Sequence, residues 1–154
     1  MIKGHGLQGA ALGAMDLTIG MLGTIIGLAA ATSSTEITFM GLVIVGIAHS
    51  LSTAAGMHVS EEAENIHTHK EVMESTFLTF LAGICVVILL AIPLTLLEMP
   101  ISLYASTMVA IGIFISLGIV GNIAQKKKGP WLIIEYTAIG LGVAAVSYLI
   151  GLLL

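Results

Sequence analysis

The chain has 154 residues, 57% of them hydrophobic and only 9% charged, with a formal net charge of −4. A soluble domain carries about 25% charged residues, so the composition excludes an ordinary water-soluble fold and indicates an integral membrane protein. Five basic residues make no nucleic-acid footprint, and the single Cys85 cannot form an intrachain disulfide.

Five apolar runs follow one another, each near the ~20 residues that a spanning helix needs. They predict an all-α, polytopic membrane protein with transmembrane helices at about 7–31, 37–59, 76–97, 101–123 and 131–154. The runs lack the two-residue alternation of a spanning β-barrel. The first run, LQGAALGAMDLTIGMLGTIIGLAAA, continues too far for a signal peptide and reads as a retained helix. Gly9/Gly13 and Gly23/Gly27 lie four apart within it, so each pair shares a face. Such faces serve either packing inside one chain or a seam between two.

The same run carries Asp16. A carboxylate at membrane depth costs at least ~2.5–3.5 kcal/mol on insertion scales. It persists where a cation, a proton or a neighbouring helix offsets that cost.

The second run contains His49, Thr53 and Met57 at four-residue intervals, which predicts a shared face. Asp16 and His49 each lie nine or ten residues from the same end of their helices, about 14–15 Å deep. The two side chains are expected to face each other. Carboxylate, imidazole and thioether together suit a first-row divalent metal; Met15 and Met21 are further sulfur donors, or simply core filling.

Residues 60–75 then form a short acidic loop, SEEAENIHTHKEVMES. If the second helix extends through it, Glu61, Glu64, His67 and Glu71 share a face by three- and four-residue steps and make a cation-capturing patch. The alternative is a solvated acidic loop. Pro93 interrupts the third run and Pro100 marks a tight turn into the fourth.

Lys3, Lys70 and the triplet Lys126, Lys127 and Lys128 all fall on one side of a five-span chain. The excess of basic residues predicts a cytoplasmic N-terminus and a non-cytoplasmic C-terminus. The triplet is also a candidate site for anionic lipid. Trp131 opens the fifth run at interfacial depth, and Glu135 follows one turn later, lining a metal path or snorkelling to water. No nucleophile–base pair, phosphate loop or zinc-protease pattern points to an enzyme.

Three stretches resemble the vacuolar iron transporter family, which includes yeast and plant vacuolar iron–manganese transporters and prokaryotic relatives. They are Leu12-Gly13-Ala14-Met15-Asp16-Leu17, the segment Ser52–Ser60, and Gly140–Leu154 with Ser147-Tyr148-Leu149-Ile150-Gly151. The resemblance implies a homodimer of five-helix subunits that exports ferrous iron or manganese from the cytosol in exchange for protons. It implies a role for Asp16 on the metal path and no tightly bound cofactor. The chain departs from the family at Thr53, where a methionine is expected, and at Met57, where a glutamate is expected. Its loop is also short. A non-transporting metal sensor or partner subunit is the alternative. The cell membrane, or a vacuolar or other endomembrane, is the expected location.

Overall fold

The computed structural model describes residues 4–126 and 129–153. Those residues form five helices: α1 (Gly4–Thr32), α2 (Thr35–Glu64), α3 (His69–Leu96), α4 (Ile101–Ala124) and α5 (Trp131–Gly151). All five are long and apolar enough to cross a membrane, as expected of a multi-pass integral membrane protein. Short connections make consecutive helices antiparallel. The start of α1, the α2–α3 turn and the α4–α5 connection share one end of the bundle, and Lys70 and Lys126 lie there. Lys3, Lys127, Lys128 and Leu154 lie outside the described residues. That end is termed the lysine end below.

Helix α1 is the axis of the fold. It packs against all four other helices and most extensively against α3, whereas α2 leans chiefly on α3 and α1. Leu17, Met21, Leu22 and Ile25 of α1 are exposed by no more than 1% and meet Leu42, Val86, Leu90 and Phe114 in the core. Several buried hydroxyls, though not that of Ser102, which has no partner among the described residues, are satisfied within their own helices: Thr18, Ser50 and Thr79 each donate to the carbonyl four residues back. In lipid no water is present to do this. Ser106 instead donates across to the Leu90 carbonyl at 3.1 Å, joining α4 to α3.

The glycines of α1 let the helices approach closely. A Cβ on Gly9 would come within 2.6 Å of the Ser75 carbonyl oxygen and side chain, and one on Gly13 would overlap the Thr79 backbone. The Gly9/Gly13 pair is therefore a seam inside the chain. Gly23 and Gly27 meet Ser147 of α5, also within the chain.

The region 60–75 is largely helical rather than a loop. Helix α2 runs on to Glu64 and ends at Asn65, whose φ of 52° is left-handed. Thr68 then caps α3, with the Glu71 side chain closing a capping box. Only residues 65–68 turn the chain. The cause is local: glutamates are good helix formers, and Asn and Thr-x-x-Glu supply the stop and start.

Candidate functional site

Asp16, His49 and Thr53 come together midway along the bundle. Asp16 lies twelve residues into α1, about 18 Å from its start. The Thr53 hydroxyl donates to Asp16 Oδ2 at 2.6 Å. His49 Nε2 lies 3.1 Å from the same oxygen. That contact is close without the alignment of a hydrogen bond, and Nε2 itself is shielded from solvent. A Cβ on Gly20 would stand 3.4 Å from Nε2, so the imidazole rests against bare backbone. Among the described residues Asp16 Oδ1 has no hydrogen-bond partner.

The trio is not sealed. The Asp16 and His49 side chains retain 42% and 37% of their exposure, on the flank where α1 meets α2. Beyond Gly20, towards the end away from the lysines, lies a groove of about 470 Å³ whose lining includes neither Asp16 nor His49. Gly20, Gly23 and Gly27 floor it, with Val45 of α2 and Ser147 of α5 on its sides. Leu28, Val45, Val143 and Ile150 make much of the rest of the lining apolar, and Gly20 is the residue that lies against both the groove and the His49 ring.

Two expectations hold here. Asp16 and His49 face each other, and Thr53 shares their face. Met57 does not belong to it: Met57 is 6% exposed and lies on the inward face of α2 with Ala54 and Glu61. Eight residues rotate a helix by about 80°, so the step from His49 to Met57 carries the side chain round into the bundle. Met21 is likewise core, 1% exposed.

The acidic patch is not assembled either. The break at Asn65 separates Glu61 and Glu64 from His67 and Glu71, which removes the continuous helix their spacing required. Glu61 is 5% exposed with Oε2 unpartnered among the described residues. Glu64 lies 4.0 Å from His67, and Glu71 holds the α3 cap. Glu62 instead lies between two histidines, 3.4 Å from His58 and 3.7 Å from His69. Among the described residues no three His, Cys, Asp or Glu side chains converge to hold a metal ion.

Sequence reasoning missed a wider pattern in α1. Gly6, Gly9, Gly13, Asp16, Gly20, Gly23 and Gly27 follow one another in steps of three and four. They form a single stripe, and Asp16 occupies one of its positions. The seven-residue repeat was visible and would have placed Asp16 on the close-approach face.

No protein-family model matches this chain, and neither does any curated protein or solved structure.

Proposed function

We propose that the protein is a transporter of a divalent transition metal, ferrous iron or manganese, moving it out of the cytosol against protons. The observation that carries the reading is a half-exposed Asp16–His49 pair midway along the bundle, with the Thr53 hydroxyl donating to Asp16. An ionisable residue at membrane depth, half exposed rather than sealed in a dry core, marks an ion route. The resemblance of three stretches to vacuolar iron transporters supports the choice of cargo.

The chemistry follows from the donors. Carboxylate oxygen and imidazole nitrogen suit iron and manganese. Both bind metal only when deprotonated, so proton and metal compete for the same atoms. Protonation of Asp16 from the far side releases the ion, and its deprotonation towards the cytosol resets the site. The positive-inside bias supports a cytosolic lysine end.

One subunit supplies too few ligands, since Asp16 and His49 offer two strong donors. A second copy related by two-fold symmetry supplies two more. The outer face of α2 suits such a partner: Ala48, Ser52, Ala55 and Gly56 are all exposed beside His49 and Thr53, and nothing lies within 4 Å of where a Gly56 Cβ would stand. Small residues on an open spanning helix favour close helix pairing. The alternative sensor reading needs the acidic segment to act as one ligand set, and its members are parcelled out to separate roles.

The test is Fe2+ or Mn2+ flux into proteoliposomes, with a lumenal pH indicator. Asp16→Asn is expected to lower flux at least tenfold while the protein stays folded, and His49→Gln to lower it several-fold. Unchanged flux in Asp16→Asn overturns the reading. In a Cys85→Ser background, Ser52→Cys is expected to crosslink between copies.

A further inference from the structure

We propose that His58 is a proton-operated clasp between α2 and α3 at the lysine end: with a proton on each ring nitrogen it ties Thr76 to Glu62, and the loss of one proton lets Glu62 go. This inference stands apart from the transport reading and uses none of its residues.

The set is built from two helices. His58 and Glu62 lie four apart on α2, and His69 and Thr76 lie seven apart on α3, so each pair shares a face. His58 Nδ1 is 3.2 Å from Thr76 Oγ1, and His58 Nε2 is 3.4 Å from Glu62 Oε1. The same carboxylate oxygen is 3.7 Å from His69 Nδ1, and the two rings meet edge to face at 6.4 Å.

Counting protons decides what His58 carries. The Thr76 hydroxyl has one proton, which goes to the Val72 carbonyl at 2.8 Å, the shorter of its two contacts. Thr76 Oγ1 is then an acceptor, so His58 Nδ1 is the donor. A neutral imidazole has a single N–H. With that N–H given to Thr76, a neutral ring would aim the bare lone pair of Nε2 at a carboxylate, which only accepts. The Glu62 contact is therefore attractive only while Nε2 is protonated as well.

Of the two histidines beside Glu62, His58 governs. Its side chain keeps 28% of its exposure, against 77% for His69, and His69 opens α3, where a helix N-terminus disfavours a cation. The other described charges nearby do not compete. On α2, Glu61 is turned inward and Glu64 faces His67. On α3, Glu71 holds the cap, while Lys70 and Glu74 are exposed and form no ion pair with the set. From Gly6 to Met15, α1 has no ionisable side chain. An imidazole ordinarily titrates near ~6.5 and a glutamate near ~4.3. The clasp is thus closed between those values, and it opens as the pH rises through the histidine range.

The experiment is hydrogen exchange of the full-length protein in detergent, read on the peptide covering residues 65–72 and corrected for intrinsic rates. Wild type is expected to be about three- to fivefold better protected on the acid side of the histidine range than above it, the size of a partly exposed ion pair. His58→Gln and Glu62→Gln are each expected to abolish that pH dependence, whereas His69→Gln keeps most of it. Thr76→Val frees a neutral ring to turn its one N–H to Glu62, so the dependence is expected to shrink there too. Nitrogen-15 spectra of histidine-labelled protein above the histidine range are expected to show His58 protonated at Nδ1. Protection that does not change with pH in wild type overturns the proposal. So does a pH dependence retained in folded His58→Gln, or a neutral His58 protonated at Nε2, which would mean that Thr76 donates to the ring.

Discussion

The glycine stripe of α1 has two halves that differ in what meets them. Towards the lysine end, Gly9 and Gly13 are buried against Ser75 and Thr79 of α3, with no room for a methyl group. Towards the other end, Gly20 and Gly27 are only half buried and floor an open groove beside α2 and α5. Asp16 stands between the halves. The same residue type thus brings two backbones together in one place and leaves an open surface groove in another. What differs is the crossing of the neighbouring helices over α1.

The largest expected effect is at the closed half. Gly13→Val drives a branched side chain into the Thr79 backbone, and overpacking of this kind costs about 1–3 kcal/mol or more. The expected outcome is a lower Tm and loss of folded protein in detergent, read by size exclusion and thermal melting. A Gly13→Val protein as stable as wild type would break the comparison, because the closed half would then have slack.

Next comes the junction. Thr53→Val removes the hydroxyl donated to Asp16, and a hydrogen bond to a charged group is worth about 1.5–3 kcal/mol. The loss in stability is expected to shrink in an Asp16→Asn background, where the acceptor is neutral. A double-mutant cycle on Tm or denaturant midpoint measures that coupling.

Gly23→Ala tests the open half. The added Cβ would meet Ser147 Oγ and Val143 Cγ1 at 3.0 Å; the serine hydroxyl can turn away, and the stiffer valine needs to give by only a few tenths of an ångström. A cost under about 1 kcal/mol is expected, partly relieved by Ser147→Ala. The smallest effect is expected from Gly20→Ala. Its methyl would sit 3.4 Å from His49 Nε2, so stability should change by less than about 0.5 kcal/mol, while metal flux falls because the imidazole is crowded. Equal damage to flux and Tm would place Gly20 with Gly13 instead.

The five helices were legible because bilayer thickness imposes run length, and nothing in the chain competes with that signal. Asp16 was legible for a related reason: a lone charge in an apolar run has few explanations. His49 followed from matching depths. Met57 was misplaced because four-residue steps drift around a helix, and two of them are enough to leave the face. The acidic segment was legible in part: an extension of α2 was one of its two readings and reaches Glu64, but the turn marked by Asn65 and Thr68 stops it short of His67 and Glu71. The partition of the glycine stripe was not legible, since it depends on which helix crosses α1 at each level.

Helix α2 has 30 residues, about 45 Å at 1.5 Å per residue, against a hydrocarbon thickness of ~30 Å. With its first turn tied to the α3–α4 corner, where the Thr35 hydroxyl accepts from the Met99 N–H at 3.1 Å, the surplus length emerges at the Glu61–Glu64 end. The shaft therefore behaves as a gauge of its host bilayer. Thicker lipid submerges more of those carboxylates and thinner lipid lifts them clear, so the depth of the acidic turn is set by the membrane as much as by the fold.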